Sequence, residues 1–299
     1  MKTVEDFLVA VYCLVSDFFK LIVGDQRLRR RGPPPSLTDS EVITMELVGE
    51  FLGHHADKDL WAYFRRHWLP WFPKLGDRSC FVRQAANLWR VKQLIRCTLS
   101  RALGSNEDIH QIVDGVPISS CVLGRANRRK LFRDVTAKSY CAAKKVFYVG
   151  FKGHLRITAS GLISNFTLTP ANVDEREAAW DLTDERSGSA WWFADKGYLS
   201  RWFSEELKEL GITLDTPVRS NMKDTCTRKE RSVRNRVRRL IETVLSQLTG
   251  RFQLAKVRAR DLLHLTSRIE RKLLAHTIAY AINRSLGREP LDFDGLIAQ

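Results

Sequence analysis

The chain reads as α/β: a mixed five-stranded sheet flanked by helices and preceded by an all-helical N-terminal region. Three observations predict this. Apolar residues recur at helical spacing through the first hundred or so positions, and strand-like alternation begins only near Ile109. From there the elements succeed one another as strand, strand, strand, helix, strand, helix, strand, helix, helix. The second and third strands are joined by a short turn and are therefore antiparallel, whereas the later strands are reached through helices and run parallel to the first. The expected organisation is a helical region over 1–104, an α/β domain over 105–290 and a tail over 291–299.

The front region opens with a helix whose inner positions are Phe7, Val11, Leu14 and Phe18. The basic, proline-rich stretch from Arg27 to Pro35 cannot continue it. A second helix starts where Thr38 and Glu41 match a capping box, and it should bury Val42, Met45, Val48 and Leu52. A segment rich in Trp and Arg follows from Trp61 to Trp71, limited by Pro70 and Pro73. Another helix spans Cys80 to Leu103 and carries Arg83, Arg90, Lys92, Arg96 and Arg101. These basic side chains suit a DNA-binding module or a solvated helical face.

Ile109 to Asp114 alternates as a strand and breaks at Gly115 and Pro117. The interval Arg125–Lys145, with Arg128, Arg129, Lys130, Arg133, Lys138 and Lys144, reads as a basic loop near a substrate. Alternation returns from Phe147 to Ile157, turns at Ala159-Ser160-Gly161 and comes back through Leu162 to Leu168. Asp174 and Glu177 begin a helix reaching Leu182, closed by Ser187-Gly188-Ser189. The run Trp191-Trp192-Phe193-Ala194 is a buried strand that delivers Asp195 at its tip. Ser200 caps a helix ended by Gly211, and Ile212 to Thr216 is the last strand. After a polar loop over 219–231, a helix from Ser232 presents Val237, Ile241, Val244 and Leu248. A long helix from Ala259 to Leu286 follows.

Lys and Arg number 49 against 34 Asp and Glu, a net charge of +15, which favours a polyanionic partner such as nucleic acid. No apolar run approaches the roughly 18 residues of a membrane span. The apolar run from Phe7 to Val23 lacks the marks of a signal peptide. Cys13, Cys80, Cys97, Cys121, Cys141 and Cys226 show no C-x-x-C pairing and read as reduced cytoplasmic thiols. His54 and His55 are adjacent, so on a helix they diverge and do not suggest a metal site.

The strand order described is that of an RNase H-like core, in which the first strand and the Trp191 strand are neighbours. Asp114 then lies beside Asp195, at the carboxyl edge where open α/β sheets place their chemistry. Glu242, one step round from Ile241, can reach the pair from its helix. Each acid also has a plain reading: Asp114 and Asp195 as turn residues, Glu242 as the partner of Arg238 or Arg239. Three clustered carboxylates repel one another unless cations sit between them. Oxygen ligands of this kind suit Mg²⁺, and two such ions support in-line phosphoryl transfer.

Several motifs carry a resemblance: Asp114-Gly-Val-Pro117, Tyr148-Val-Gly-Phe-Lys-Gly-His154, Leu168-Thr-Pro-Ala-Asn-Val-Asp-Glu-Arg176, Ala194-Asp-Lys-Gly-Tyr198, Ile241-Glu-Thr-Val-Leu-Ser-Gln-Leu248 and, in the front region, Leu37-Thr-Asp-Ser-Glu41. In this order they resemble the DDE transposases of bacterial insertion sequences, close to the family numbered 982. The resemblance implies that Asp114, Asp195 and Glu242 are the catalytic, metal-binding acids, holding two Mg²⁺ ions with Mn²⁺ as a substitute. It implies cleavage and strand transfer at the terminal inverted repeats of the element. The partners would be double-stranded DNA and further copies of the chain, at least a dimer on DNA, in the bacterial cytoplasm at the nucleoid. Lys152, His154, Lys196, Arg238 and Arg239 are the candidates for DNA contact. Arg238 matches the Arg that many relatives place before the glutamate. Asn235 and Thr249 stand where those relatives have Tyr and Lys. The short interval from Asp195 to Glu242 leaves no room for the insertion domain some relatives carry. A nuclease without strand transfer, or a DNA-binding protein without catalysis, are the other readings of the same residues.

Overall fold

The computed structural model describes every residue except 1–2, 27, 30, 129, 143–144, 184–188, 218–226 and 298–299, together with the side chains of 229 and 230. The expectations for Arg27, Arg129, Lys144, Ser187, Gly188, Cys226 and most of the loop over 219–231 lie outside the described residues.

The chain divides into two compact units, one formed by Met1–Leu99 with Leu248–Gln299 and the other by Ser100–Gln247. The first is helical: α1 (Val4–Val23), α2 (Asp39–Phe51), α3 (Asp57–His67), α4 (Arg78–Asn87), most of α5 (Trp89–Ala102) and α9 (Leu262–Ser285). The Thr38 capping box forms as expected, with the Glu41 carboxylate accepting from the Thr38 N–H at 2.6 Å and the Thr38 hydroxyl accepting from the Glu41 N–H at 3.2 Å. The helix expected over Cys80–Leu103 is two helices, parted at Leu88. Residues 248–290, expected with the sheet, pack in the helical unit, because α9 lies against α1, α2 and α4. The segment after Pro290 joins them through buried Phe293 and Leu296.

Charge is a core component of this unit. Lys92 and Arg96, read from sequence as surface cations, are fully buried, and so is Arg271 on α9. Lys92 Nζ donates to Glu46 Oε2 and Ser267 Oγ, each at 2.7 Å. Arg96 Nε donates to Glu270 Oε2 at 3.0 Å. Arg271 spans two acids, Glu50 at 2.7 Å and Asp57 at 2.8 Å, and donates to the His55 carbonyl at 2.7 Å. His55 itself lies 2.5 Å from Glu50. These cations are therefore withdrawn from any role on the surface. Arg83, Arg90 and Arg101 remain exposed.

The second unit is built on one sheet: β1 (His110–Val122), β2 (Ala137–Cys141), β3 (Val146–Thr158), β4 (Ile163–Pro170), β5 (Ala190–Ala194) and β6 (Ile212–Asp215). The order is β2-β3-β1-β5-β6, with β4 also paired to β3. β1, β5 and β6 are parallel; β3 is antiparallel to β1, β2 and β4. This is the expected mixed sheet with one strand added, since part of the basic interval pairs as β2 against the first half of β3. The segments α6 (Glu175–Trp180), α7 (Arg201–Glu209) and α8 (Arg228–Thr249) complete the unit. Beneath the β1–β5–β6 side lies an apolar core of Val113, Ala179, Leu182, Trp192, Tyr198, Phe203 and Leu207.

β1 does not break at Gly115. It continues to Val122 against β3, and its pairing with β5 ends at Val113 opposite Ala194. Beyond that point β1 has a partner on one side only, which is where a strand accepts a proline such as Pro117. The register shifts between Ser119 and Cys121. A Cβ on Gly150, across from this bulge, would come within 2.2 Å of the Ile118 carbonyl oxygen, so glycine is required there.

Candidate active site

Parallel pairing of β1 with β5 decides the position of two acids. Ile112 is level with Phe193 and Val113 with Ala194, so Asp114 and Asp195 occupy the next step on adjacent strands. Neighbouring strands lie about 4.8 Å apart. Asp195 leaves β5 and caps the 3-10 turn Lys196–Tyr198, its Oδ1 accepting from the Gly197 N–H at 2.7 Å. Asp114 stands mid-strand in β1, not at its end, but at the end of the parallel pairing. Its Oδ1 accepts from the Gly115 N–H at 2.7 Å. These hydrogen bonds engage one oxygen of each carboxylate and leave the other for a ligand.

Glu242 comes from α8. Ile241, Val244 and Leu248 turn inward, and Glu242 is exposed one step round. An ion pair of Arg234 with Asp215 ties the first half of α8 to the end of β6. Burial pushes the half-buried Asp114 carboxyl up to about 6. The Gly115 N–H pulls against this, the charges of Asp195 and Glu242 add to it, and Arg238 opposes it. The three acids thus share one electrostatic neighbourhood. Like charges brought together with little compensation mark a functional site more often than a structural one. Among the described residues, no three His, Cys, Asp or Glu side chains converge closely enough to hold a metal ion. Glu242 instead pairs with Arg238 at 3.5 Å, both side chains about two-thirds exposed.

Residues 103–262 match the family described as the transposase DDE domain. The chain belongs to the DDE transposases. A cryo-EM structure of piggyBac transposase, in a synaptic complex with hairpin DNA, superposes with a TM-score of 0.50 at 11% identity, over 98% of this chain and 78% of that one. At that identity the likeness is one of fold. No curated protein matches the chain.

Near Asp114 and Asp195 lies one group that sequence reasoning missed, Glu175, paired with the expected Lys152. Lys152 Nζ pairs with Glu175 Oε1 at 2.7 Å, at the start of α6, and reaches the Val173 carbonyl at 3.4 Å. A Cβ added to Gly115 would meet the Lys152 stem at 3.6 Å. One added to Gly197 would lie 3.0 Å from Asp195 Oδ1 and 3.7 Å from the Glu175 carboxyl carbon. The Lys152–Glu175 pair therefore lies beside both Gly115 and Gly197, the residues next to Asp114 and two past Asp195. The signal was present in Asp174-Glu175-Arg176, which reads first as a helix start.

Of the expected DNA contacts, Lys196, Arg238 and Arg239 are exposed, and Lys152 is largely buried in its ion pair. His154 is a correction. It is fully buried on β3, Nε2 is 3.0 Å from the Thr169 hydroxyl, and burial with nearby Lys152 lowers its pKa to about 4. A neutral, enclosed imidazole cannot meet a phosphate at the surface.

Proposed function

We propose that the chain cleaves and joins DNA at the terminal inverted repeats of its own element, with Asp114, Asp195 and Glu242 as the acids that hold divalent cations. The observation that supports this reading is that Asp114 and Asp195 each directly follow the last paired residues of two parallel strands, Val113 and Ala194, with Glu242 among the charges acting on Asp114. DDE transposases use divalent metal ions. The donor set here is oxygen only, which suits Mg²⁺ and its substitute Mn²⁺. Two such cations, when bound, favour attack of water on phosphorus and departure of the 3′-oxygen.

The protein's own groups have defined tasks. The Gly115 and Gly197 N–H groups each hold one oxygen of Asp114 and Asp195, so the other oxygen of each is the one that would meet a cation. Glu242 joins them by leaving Arg238, and the guanidinium so released can meet a phosphate. Lys196 and Arg239 track the duplex nearby, and Lys152 balances charge beside Glu175. In the first step the oxygen of water bonds to phosphorus and the 3′-oxygen of the element leaves. In the second that 3′-oxygen bonds to a target phosphorus and displaces the target's own 3′-oxygen. Residues 1–104, with exposed Arg83, Arg90 and Arg101, recognise the element's end. The sheet unit over 100–247 does the chemistry, and Phe293 and Leu296 of the tail complete the helical packing. Two ends are joined by at least a dimer on DNA, in the cytoplasm at the nucleoid. No helix among the described residues is long and apolar enough to cross a membrane. Assignment to the insertion-sequence family numbered 982 rests on the motifs.

The test supplies pre-cleaved terminal-repeat DNA and a supercoiled target with Mg²⁺, Mn²⁺ or EDTA. Joined products in either metal, absent in EDTA, are expected. Nicking of uncleaved ends without joining would favour a plain nuclease, and retained binding without any product would favour a non-catalytic DNA-binding protein.

A further inference from the structure

β2 pairs with β3 alone, and that pairing sets Tyr140 level with Phe147 and Lys138 level with Val149. Side chains two apart on a strand share a face, so Lys138, Tyr140 and Phe147 stand together on one side of this hairpin. The Tyr140 and Phe147 ring centroids are 4.9 Å apart, and Lys138 Nζ sits 4.7 Å from the centre of the Phe147 ring. A cross-strand aromatic contact steadies a hairpin, but it does so without leaving the rings open. Here Tyr140 is 50% exposed and Phe147 48%, on an edge strand where bare apolar surface is a hazard. The surroundings are cationic. Residues 123–145 hold eight Lys and Arg against one acid, Asp134, and Arg125, Arg128, Lys130 and Lys145 are exposed along with Lys138. The 3-10 turn Leu123–Arg128 lies against β1 and β3, which brings Arg125 and Arg128 to the same end of the sheet. Leu155, which pairs with Asp114, is an even number of residues from Phe147 along β3. The rings and that acid therefore share one face of the sheet, roughly 25 Å apart along the strand.

We propose that the patch of Lys138, Tyr140 and Phe147 binds unpaired DNA bases, which stack on the open aromatic faces while Lys138, Arg125 and Arg128 hold the phosphates of the same strand. The inference rests on reading the chain as a protein that acts on DNA, and not on Asp114, Asp195 and Glu242 as cation ligands. Aromatic rings set among cations grip single strands with little regard to sequence, because every base offers a π face and Lys and Arg follow the backbone. A duplex keeps its bases stacked inside, so the rings give it little, and the patch favours strands that are open. Phosphates recur about every 3.4 Å of strand, so the patch is about seven nucleotides from Asp114, and one DNA strand can reach both.

The test is fluorescence anisotropy of a labelled oligothymidine single strand, and of a blunt duplex with the same label, titrated with the full chain in EDTA. Tyr140→Leu and Phe147→Leu keep the hairpin apolar and remove the π face. Each should weaken single-strand binding about tenfold or more and leave duplex binding within about twofold. Lys138→Gln should flatten the salt slope for the single strand by about 0.7. A pair that only braces the hairpin would lower Tm and leave the ratio of single-strand to duplex binding unmoved. Single-strand binding equal to wild type in both leucine variants overturns the inference. An equal loss on single strand and duplex overturns it too, by making the patch a general phosphate contact. A loss of oligomer mass in Phe147→Leu with DNA binding unchanged would assign the patch to a second copy of the chain, and would equally overturn it. If one leucine variant fails to fold, the other and Lys138→Gln still decide. If the wild type grips open strands through this patch and never joins ends in metal, the patch stands and the strand-transfer reading falls.

Discussion

In the helical unit Glu50 lies buried between Arg271, Lys272 and His55; in the sheet unit Asp114 lies half-buried with Asp195 and Glu242 for company. Burial raises the pKa of both carboxyls. For Glu50 the cations and hydrogen bonds outweigh it and bring the group down to about 2. For Asp114 the neighbouring acids reinforce it, and the group rises to about 6. The contrast separates two uses of charge. A buried acid with its counter-charges in place holds helices together. Acids gathered with too few counter-charges hold a place for something else. The helical unit is not uniformly balanced: Glu46 and Lys92 are enclosed so completely that burial pushes the acid up and the amine down.

Substitutions that remove a charge should therefore act oppositely in the two units. The largest effect is expected on activity. Asp114→Asn or Asp195→Asn should reduce DNA cleavage on the order of 10³-fold, since each removes an acid proposed to hold a cation. Thermal melting in EDTA should show unchanged or raised stability, because a repulsive charge is gone. A large loss of stability would place these acids with Glu50, as structural groups.

Next comes Arg271→Met. It strands Glu50 and Asp57 without their shared partner and should cost about 3–5 kcal/mol, lowering Tm by roughly 10 °C. A change within about 0.5 kcal/mol would mean that the network contributes nothing net.

The pH dependence sharpens the comparison. Glu50 falls from an ordinary value of 4.5 to about 2 on folding, so its contribution is complete above 4.5 and is lost as pH drops towards 2. Asp114 rises from an ordinary 3.8 to about 6, so the folded protein holds its proton more tightly. Its contribution is greatest below 3.8 and is lost as pH climbs towards 6. Denaturant titrations between pH 4 and 6.5 in EDTA should show Asp114→Asn gaining on wild type as pH rises. Parallel curves would remove the electrostatic basis for the three-acid cluster.

The smallest effect belongs to the surface. Arg238→Ala breaks an exposed pair and should change stability by no more than about 0.5 kcal/mol. If the freed guanidinium meets a phosphate, the same variant should lower the salt slope of DNA binding by about one.

What the sequence made legible follows the same division. Adjacent positions for Asp114 and Asp195 could be inferred because local alternation and helical crossovers give the element order, and that order is the one in an RNase H-like core, where these two strands are neighbours. The Thr38 capping box was readable because its partners lie three residues apart. Lys92 and Arg96 were not, because Ser267 and Glu270, which bury with them, lie far along the chain and nothing local announces the pairing. The end of β1 was misplaced because Gly115 and Pro117 signal a break, and only the loss of the β5 partner explains why they are tolerated. β2 was hidden in a stretch whose basic residues masked a two-residue period. At the site, Glu175 reads locally as part of a helix start; its nearness to the acids is a property of the sheet.

The most direct measurement is nicking of a labelled duplex carrying the terminal repeat, in Mg²⁺, by wild type and by Glu242→Gln. Metal-dependent nicking at the repeat end, lost in the variant while DNA binding and Tm are kept, is the predicted result. Equal nicking by both would contradict the account, leaving Glu242 as no more than the exposed partner of Arg238.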